Sequence, residues 1–206
     1  MKTKFILAAS IAVLTASALA APLTFDFKDP KGVNNAVFKL DAPLEAINGS
    51  ANGVSGSVSF DPANPGATTG KIVVDAATLT VPNPMMKEHL HGGMWMDVAK
   101  NKEITFEAKA LKNVKTTGDK TTADATGTLT IKGVAKEVTI PVTLTYLKGK
   151  LGARLNKPDL KGDLLVIRST FTIKRTDYSI NTSAPADKVS DEIELTLSIA
   201  GAAPAK

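Results

Sequence analysis

The residue types that could support chemistry are concentrated in one segment, residues 85–96. It holds both histidines of the chain and four of its five methionines, namely Met85, Met86, His89, His91, Met94 and Met96. Thioether and imidazole groups suit copper, so a copper-handling protein is one hypothesis. Methionines also form pliable apolar surfaces, and we favour a lid in which His89 only caps or hydrogen-bonds. We therefore predict no metal site and no cofactor.

A second candidate lies near the carboxyl end, where Arg175 and Asp177 share the parity of Ile173 in a predicted strand. Equal parity would turn both side chains inward near the strand end. One hypothesis is a head-group contact for a diphosphate or another anion. We favour the alternative, a buried and paired arginine that plugs the closed end of the barrel, because a lone buried charge is costly.

Hydrolytic catalysis has little support. The chain has no Gly-x-Ser-x-Gly elbow, no His-Glu-x-x-His motif and no phosphate-cradling glycine loop. Glu88 and His89 are adjacent, and adjacent residues of a helix face different ways. The lysines are scattered, and only one Trp and two Tyr are present, which argues against a nucleic-acid partner. We predict a protein that is not an enzyme and has no catalytic residues.

The elements that position these groups follow from a period-two alternation of apolar and polar residues. It runs through residues 54–60, 104–110, 127–131, 138–146, 165–173 and 193–199. Turn-forming residues separate these stretches at 61–66, 117–119, 132–133 and 148–150. Strands with one apolar face and short links predict an antiparallel all-β fold that closes on itself. Pro141 cannot donate to a strand ladder and predicts a bulge or an unpaired position.

One segment interrupts the alternation between two strands. A proline stands near a potential helix start at residue 84, and Gly92 and Gly93 end the segment. A short helix or loop inserted there would lie across one mouth of a barrel, where functional loops tend to sit.

The amino terminus predicts a cleavable secretory signal. Lys2 and Lys4 precede an apolar run over residues 5–14, and Ala18 and Ala20 stand where a signal peptidase reads small residues. We expect cleavage after Ala20 and one domain over residues 21–206. Later apolar stretches are too short to span a membrane, so we expect no stable membrane insertion. No cysteine is present.

Several motifs resemble one known family. Residues 127–142, GTLTIKGVAKEVTIPV, strongly resemble the central motif of the YceI-like proteins. His89-Leu90, followed by residues 95–97 and 104–106, resembles the family's histidine-bearing connection. Residues 173–180 resemble its Arg-x-Asp-aromatic-Gly motif, with Tyr178-Ser179 in place of the usual aromatic-glycine pair. Residues 189–193 resemble the closing strand.

The resemblance implies an eight-stranded, lipocalin-like antiparallel barrel in the periplasm that holds polyisoprenoid or similar long-chain lipids. Alternation alone leaves a filled core open, in which case the protein would be a stress-response barrel without cargo. We predict that the cavity is lined by Val58, Phe60, Ile104, Phe106, Leu129, Ile131, Val142, Leu144, Ile167 and Phe171. We predict that its mouth is gated by Leu90, Trp95 and Met96. The sequence leaves a homodimer open.

Overall fold

The structure is a computed structural model that describes residues 21–205. The predicted signal, residues 1–20, lies outside the described residues. The strands are β1 Leu23–Asp26, β2 Asn35–Asp41, β3 Ala46–Ala51, β4 Val54–Phe60, β5 Thr69–Asp75, β6 Glu103–Thr117, β7 Lys120–Ile131, β8 Val134–Leu147, β9 Gly162–Lys174 and β10 Glu192–Pro204. The helices are α1 Pro84–His91 and α2 Leu151–Leu155, with 3₁₀ turns at Pro65–Ala67, Ala76–Thr78 and Thr176–Tyr178.

Eight of the strands close an antiparallel barrel, as predicted. The ring runs β1-β4-β5-β6-β7-β8-β9-β10, and β10 returns to β1 through the pair Asp26 and Ala202. From β4 to β10 the strands follow one another in sequence order. Two-residue turns join β6 to β7 and β7 to β8, whereas longer connections that carry α1, α2 or 3₁₀ turns join the other pairs. The hairpin β2-β3 was not predicted. It extends the sheet from β10, where β2 pairs over Asn35–Ser198 to Lys39–Glu194.

The alternation sets which side chains face the interior. On β7, Ala123, Ala125, Leu129 and Ile131 are buried, and the alternate residues Asp124, Thr126, Thr128 and Thr130 are more exposed. This pattern arises because successive side chains of a strand point to opposite faces.

The ladder between β8 and β9 ends early, at the pair Thr143 and Arg168. Pro141 explains the end, because it has no N–H to donate toward β9. Instead the Ser169 hydroxyl donates to the Pro141 carbonyl oxygen at 2.6 Å. Pro141 is therefore unpaired on this side, in agreement with one of the two outcomes expected from the sequence.

The two ends of the barrel differ. One end is filled by the aromatic rings of Phe25, Phe60 and Tyr146, whose centroids lie 6.0 to 6.4 Å apart. The other end carries α1, which begins at Pro84 after Asn83, whose side-chain oxygen accepts from the N–H groups of residues 85 and 86. Gly92 follows the helix end, as the sequence indicated.

Candidate functional site

The barrel encloses an inner chamber of about 170 Å³. Its walls come from the inward faces of β2 and β4–β10, and they are almost entirely apolar. The few polar groups among them are hydroxyls. The lining residues used below are Phe38, Val58, Leu79, Ile104, Phe106, Ala108, Leu129, Ile131, Val142, Leu144, Ile167, Ser169, Phe171 and Leu195.

An outer chamber of about 310 Å³ lies beneath α1. It has apolar walls from β2, β3, β10 and α1, with Glu45, His89 and Arg175 as its charged or titratable side chains. Five residues border both chambers, namely Phe38, Leu79, Ile104, Ile131 and Leu195. The chambers therefore adjoin along the barrel, with the polar groups at the α1 end.

Most of the predicted lining residues border one of these chambers. Val58, Ile104, Phe106, Leu129, Ile131, Val142, Leu144, Ile167 and Phe171 border the inner chamber. Leu90, Trp95 and Met96 border the outer chamber. Phe60 was also predicted to line the cavity, but it borders neither chamber. It lies at the end of β4 and packs against Phe25 and Tyr146 in the filled end of the barrel.

Sequence reasoning missed Phe38, which borders both chambers. Its ring lies over Gly49, the residue opposite it on β3. A Cβ at Gly49 would overlap the Phe38 ring and would lie 2.5 Å from the Thr80 carbonyl oxygen. The alternation of Ala36, Phe38 and Leu40 could have indicated this inward face.

Arg175 is only 2% exposed and borders the outer chamber. Its Nη1 donates to the carbonyl oxygens of Ile180, at 2.6 Å, and Asn181, and its Nε donates to that of Ser190 at 3.4 Å. It lies at the α1 end, so the expectation that it plugs the closed end of the barrel is corrected. It forms no ion pair with any carboxylate in residues 21–205.

Asp177 does not face the interior, and that prediction was wrong. Period-two parity ends with β9 at Lys174, because Thr176–Tyr178 forms a 3₁₀ turn. Asp177 is exposed on that turn, whereas Tyr178 is buried.

The methionines and histidines of segment 85–96 face different surroundings. Met86, His89 and Met96 border the outer chamber, whereas Met85 and Met94 are largely exposed. The His91 Nε2 lies 2.7 Å from the Leu79 carbonyl oxygen. Within residues 21–205 no three or more His, Cys, Asp or Glu side chains are grouped as a metal site would need.

The lid, meaning α1 and residues 92–98, is tied to the barrel by hydrogen bonds from both sides. The contact of His91 with Leu79 fixes the end of the helix. Beyond it, the Met94 carbonyl oxygen accepts from the Asn181 N–H at 2.9 Å and from Lys132 Nζ at 3.0 Å. These bonds hold Trp95 and Met96 over the outer chamber.

Most of the described chain matches one known domain family. The YceI-like domain matches residues 24–201. This chain belongs to the YceI-like family. Among its YceI-like relatives, a UPF0312 protein from Pseudomonas paraeruginosa is 35% identical over 154 residues, 74% of this chain and 72% of the relative. A UPF0312 protein from Yersinia pestis is 34% identical over the same shares.

Solved structures share the YceI-like fold. BcnA from Burkholderia cenocepacia matches 81% of this chain and 95% of its own, with a TM-score of 0.66 at 22% identity. The YceI protein of Campylobacter jejuni matches 100% and 99%, with a TM-score of 0.60 at 21% identity. A polyisoprenoid binding domain from Saccharophagus degradans matches 89% and 99%, with a TM-score of 0.64 at 12% identity. No helix among residues 21–205 is both long and apolar enough to cross a membrane.

Proposed function

We propose that this protein is a periplasmic carrier that holds the chain of a polyisoprenoid or similar amphiphilic lipid inside its barrel and does so without catalysis. The observation that carries the proposal is the pair of adjoining chambers. The inner one is walled almost entirely by apolar side chains, and the charged and titratable side chains are confined to the outer one. A ligand with an apolar chain and a polar end matches this arrangement, with its chain in the inner chamber and its polar end in the outer one.

The energetics suit such a cargo. Burying a methylene group is worth about 0.8 kcal/mol, so a five-carbon isoprene unit gains roughly 3 to 4 kcal/mol before ordering costs. The outer chamber alone, at about 310 Å³, reaches the lower end of the range of ligand pockets, roughly 300 to 1,000 Å³. A few isoprene units would therefore suffice for tight binding.

The comparisons support the same class of ligand. A solved structure with this fold is described as a polyisoprenoid binding domain, and the present chain has an apolar cavity in the same type of barrel. Periplasmic location is supported by the amino-terminal pattern of Lys2, Lys4, an apolar run and Ala18 to Ala20. Sequencing the amino terminus of protein from a periplasmic extract should find Ala21 first. Recovery of uncleaved chain in the membrane fraction would contradict this location.

The chain offers its own reporter of binding. Trp95 is the only tryptophan, and it borders the outer chamber. Titration with farnesol should shift or quench Trp95 fluorescence with saturation near one ligand per chain. The same titration with a short alcohol, which carries the hydroxyl group without the long chain, should leave the fluorescence unchanged. No saturable change with farnesol would count against a lipid carrier.

The natural cargo can be sought directly. Organic extraction of the protein purified from its own cells, followed by mass spectrometry, should recover a long-chain isoprenoid in near-stoichiometric amount. Protein that yields no lipid and also fails to bind farnesol would contradict the proposal.

A further inference from the structure

We infer that the rim of the outer chamber is a docking surface for a lipid bilayer, with which the barrel exchanges its cargo by direct contact. This inference rests on the proposed function, because it names the partner of a lipid carrier. The rim consists of Leu44, Met85 and Met94. These residues come from three segments of the chain: the turn between β2 and β3, the first turn of α1, and the residues that follow α1.

Exposed apolar side chains are concentrated at this end of the barrel. Among residues 21–205 five large apolar side chains are exposed, and the three of the rim are the most exposed of them, at 65% to 66%. Each rim residue directly precedes a residue that borders the outer chamber, namely Glu45, Met86 or Trp95. Single exposed apolar residues are common on protein surfaces, but three placed next to one cavity mark an interaction site.

The outer chamber opens to the surface within this rim. Glu45 and His89 border the chamber and are themselves exposed, so the opening lies between the turn after β2 and α1. The half-buried side chains of Met86, Leu90 and Trp95 also border the chamber. The apolar wall of the chamber is therefore continuous with the apolar rim, and a lipid chain that leaves the barrel here meets the rim first.

Hydrogen bonds fix the backbone near each rim residue. The Leu44 N–H donates to the Asp187 carbonyl oxygen, and the Met94 carbonyl oxygen accepts from the Asn181 N–H, both at 2.9 Å. The Met85 N–H donates to the side-chain oxygen of Asn83, also at 2.9 Å. The side chains of the rim thus stay outside the core on a fixed backbone, an arrangement that suits shallow insertion into the head-group region of a bilayer.

A bilayer suits this surface better than a protein or a strongly charged partner. Charges of both signs lie beside the rim, with Lys87 and Glu88 on α1 and Asp187 and Lys188 close to Leu44. Mixed signs match zwitterionic head groups and do not attract anionic lipids or nucleic acid as a basic cluster would. Three side chains also expose less area than the roughly 800 Å² that each partner of a stable protein complex buries.

Empty protein tests the docking without any cargo. Trp95 directly follows Met94 and is the only tryptophan, so vesicles of phosphatidylcholine with brominated acyl chains should quench its fluorescence. Matched vesicles without bromine should not quench it, and high salt should leave the quenching unchanged, because apolar insertion is not screened. Absence of quenching would overturn the docking surface and leave the carrier proposal intact. Quenching that requires phosphatidylglycerol and disappears in high salt would also overturn it.

Substitutions locate the surface. The triple variant Leu44→Ser/Met85→Ser/Met94→Ser should raise the vesicle concentration for half-maximal quenching by at least roughly 10-fold and should keep the wild-type affinity for farnesol. Val33→Ser is the control for Leu44→Ser, because Val33 is exposed in a loop beside Asp29, at the filled end. Quenching that is unchanged in the triple variant, or weakened equally by Val33→Ser and Leu44→Ser, would contradict the assignment.

Transfer kinetics connect the docking surface with the cargo. Farnesol-loaded protein is mixed with excess unbrominated vesicles, and the Trp95 signal is followed after subtraction of the trace of empty protein. Transfer by contact should double in rate when the vesicle concentration is doubled, whereas a rate independent of vesicles would mean release into water and would refute the inference. A wild-type dimer that the triple variant cannot form would instead make the rim an interface between copies. Protein that is quenched but binds no farnesol would contradict only the carrier proposal.

Discussion

At the scale of single residues, Asp29 holds the filled end of the barrel together. Its carboxylate is 2% exposed and lies 3.1 Å from Arg154 Nη2. It also accepts from the N–H groups of Lys31, Val33 and Asn34 at 2.7 to 3.0 Å. Burial by itself would raise the pKa of Asp29, but these hydrogen bonds and the charge of Arg154 together lower it. The ionised form is thus part of the folded structure.

Stability should therefore depend on this carboxyl in acid. A pKa lowered by folding adds stability that is fully present above the unfolded value, about pH 4, and is lost as the pH falls through the folded pKa. Asp29→Asn should lower the free energy of unfolding at pH 7 by roughly 1 to 3 kcal/mol. Its stability should also fall less than that of wild type between pH 5 and pH 2. Urea unfolding across this range measures both.

Asp159→Asn is the matched control for Asp29, because Asp159 is exposed near α2. It should leave both the stability at pH 7 and its acid dependence unchanged. An Asp29→Asn protein with the same acid dependence as wild type would contradict the role of Asp29.

The surroundings of Arg175 could not be predicted from the positions of single residues in the sequence. Parity placed Arg175 and Asp177 on one face, which holds only while the strand continues. The chain instead enters a 3₁₀ turn after Lys174, so Arg175 is buried and Asp177 is exposed. The carbonyl partners of Arg175 come from residues 180, 181 and 190, and no periodicity in the sequence indicates that they converge.

At the scale of elements, the seam between β8 and β9 has a testable consequence. The Pro141 carbonyl oxygen faces Ser169, and residues two apart along a strand direct their backbone groups to the same neighbour. The N–H groups of Thr139, Thr143 and Thr145 therefore all point toward β9. Only Thr143 and Thr145 have partners there. Thr139 should exchange its amide hydrogen at least roughly 10-fold faster than Thr143, as measured by NMR. Equal protection would mean that the ladder continues past Pro141.

The hairpin β2-β3 shapes the boundary between the chambers through Phe38 and Gly49. Gly49→Ala should push the Phe38 ring toward the cavity, lower stability by roughly 1 to 3 kcal/mol and weaken farnesol binding. Thermal unfolding and Trp95 titration measure the two effects. Gly66→Ala is the control, since Gly66 lies outside the lid and a Cβ built there would meet no atom closer than 3.8 Å. Unchanged farnesol binding by a folded Gly49→Ala protein would remove Phe38 from the site.

The strands β4 and β6–β10 could be predicted because each turns one face to the interior, so the alternation is strong, whereas β5 was not among the predicted stretches. Pro84 and Gly92 likewise indicated in the sequence where α1 begins and ends. The strands β2 and β3 were missed although Ala36, Phe38 and Leu40 alternate. The other residues of these two strands do not alternate between apolar and polar. On β3, Gly49 stands opposite Phe38, where an apolar side chain would have completed the pattern.

At the scale of the whole molecule, the barrel closes with unlike ends. The aromatic rings and Asp29 fill one end, while α1, Trp95 and Arg175 surround the other. Whether such a barrel is solid or hollow could not be predicted from alternation, because the same inward side chains can meet at the axis or line a space. The difference depends on the distance across the ring, which is set by how eight strands pair and not by any one of them.

The central claim is that a ligand chain occupies the inner chamber, and blocking that chamber tests it most directly. Ala108 borders the chamber, and Ala135 is exposed on β8. Titration of Ala108→Phe with farnesol, followed by Trp95 fluorescence, should show affinity reduced by roughly 10-fold or more while Ala135→Phe binds like wild type. If a folded Ala108→Phe protein binds farnesol as tightly as wild type, the inner chamber does not hold the chain, and the account of this barrel as a lipid carrier is contradicted.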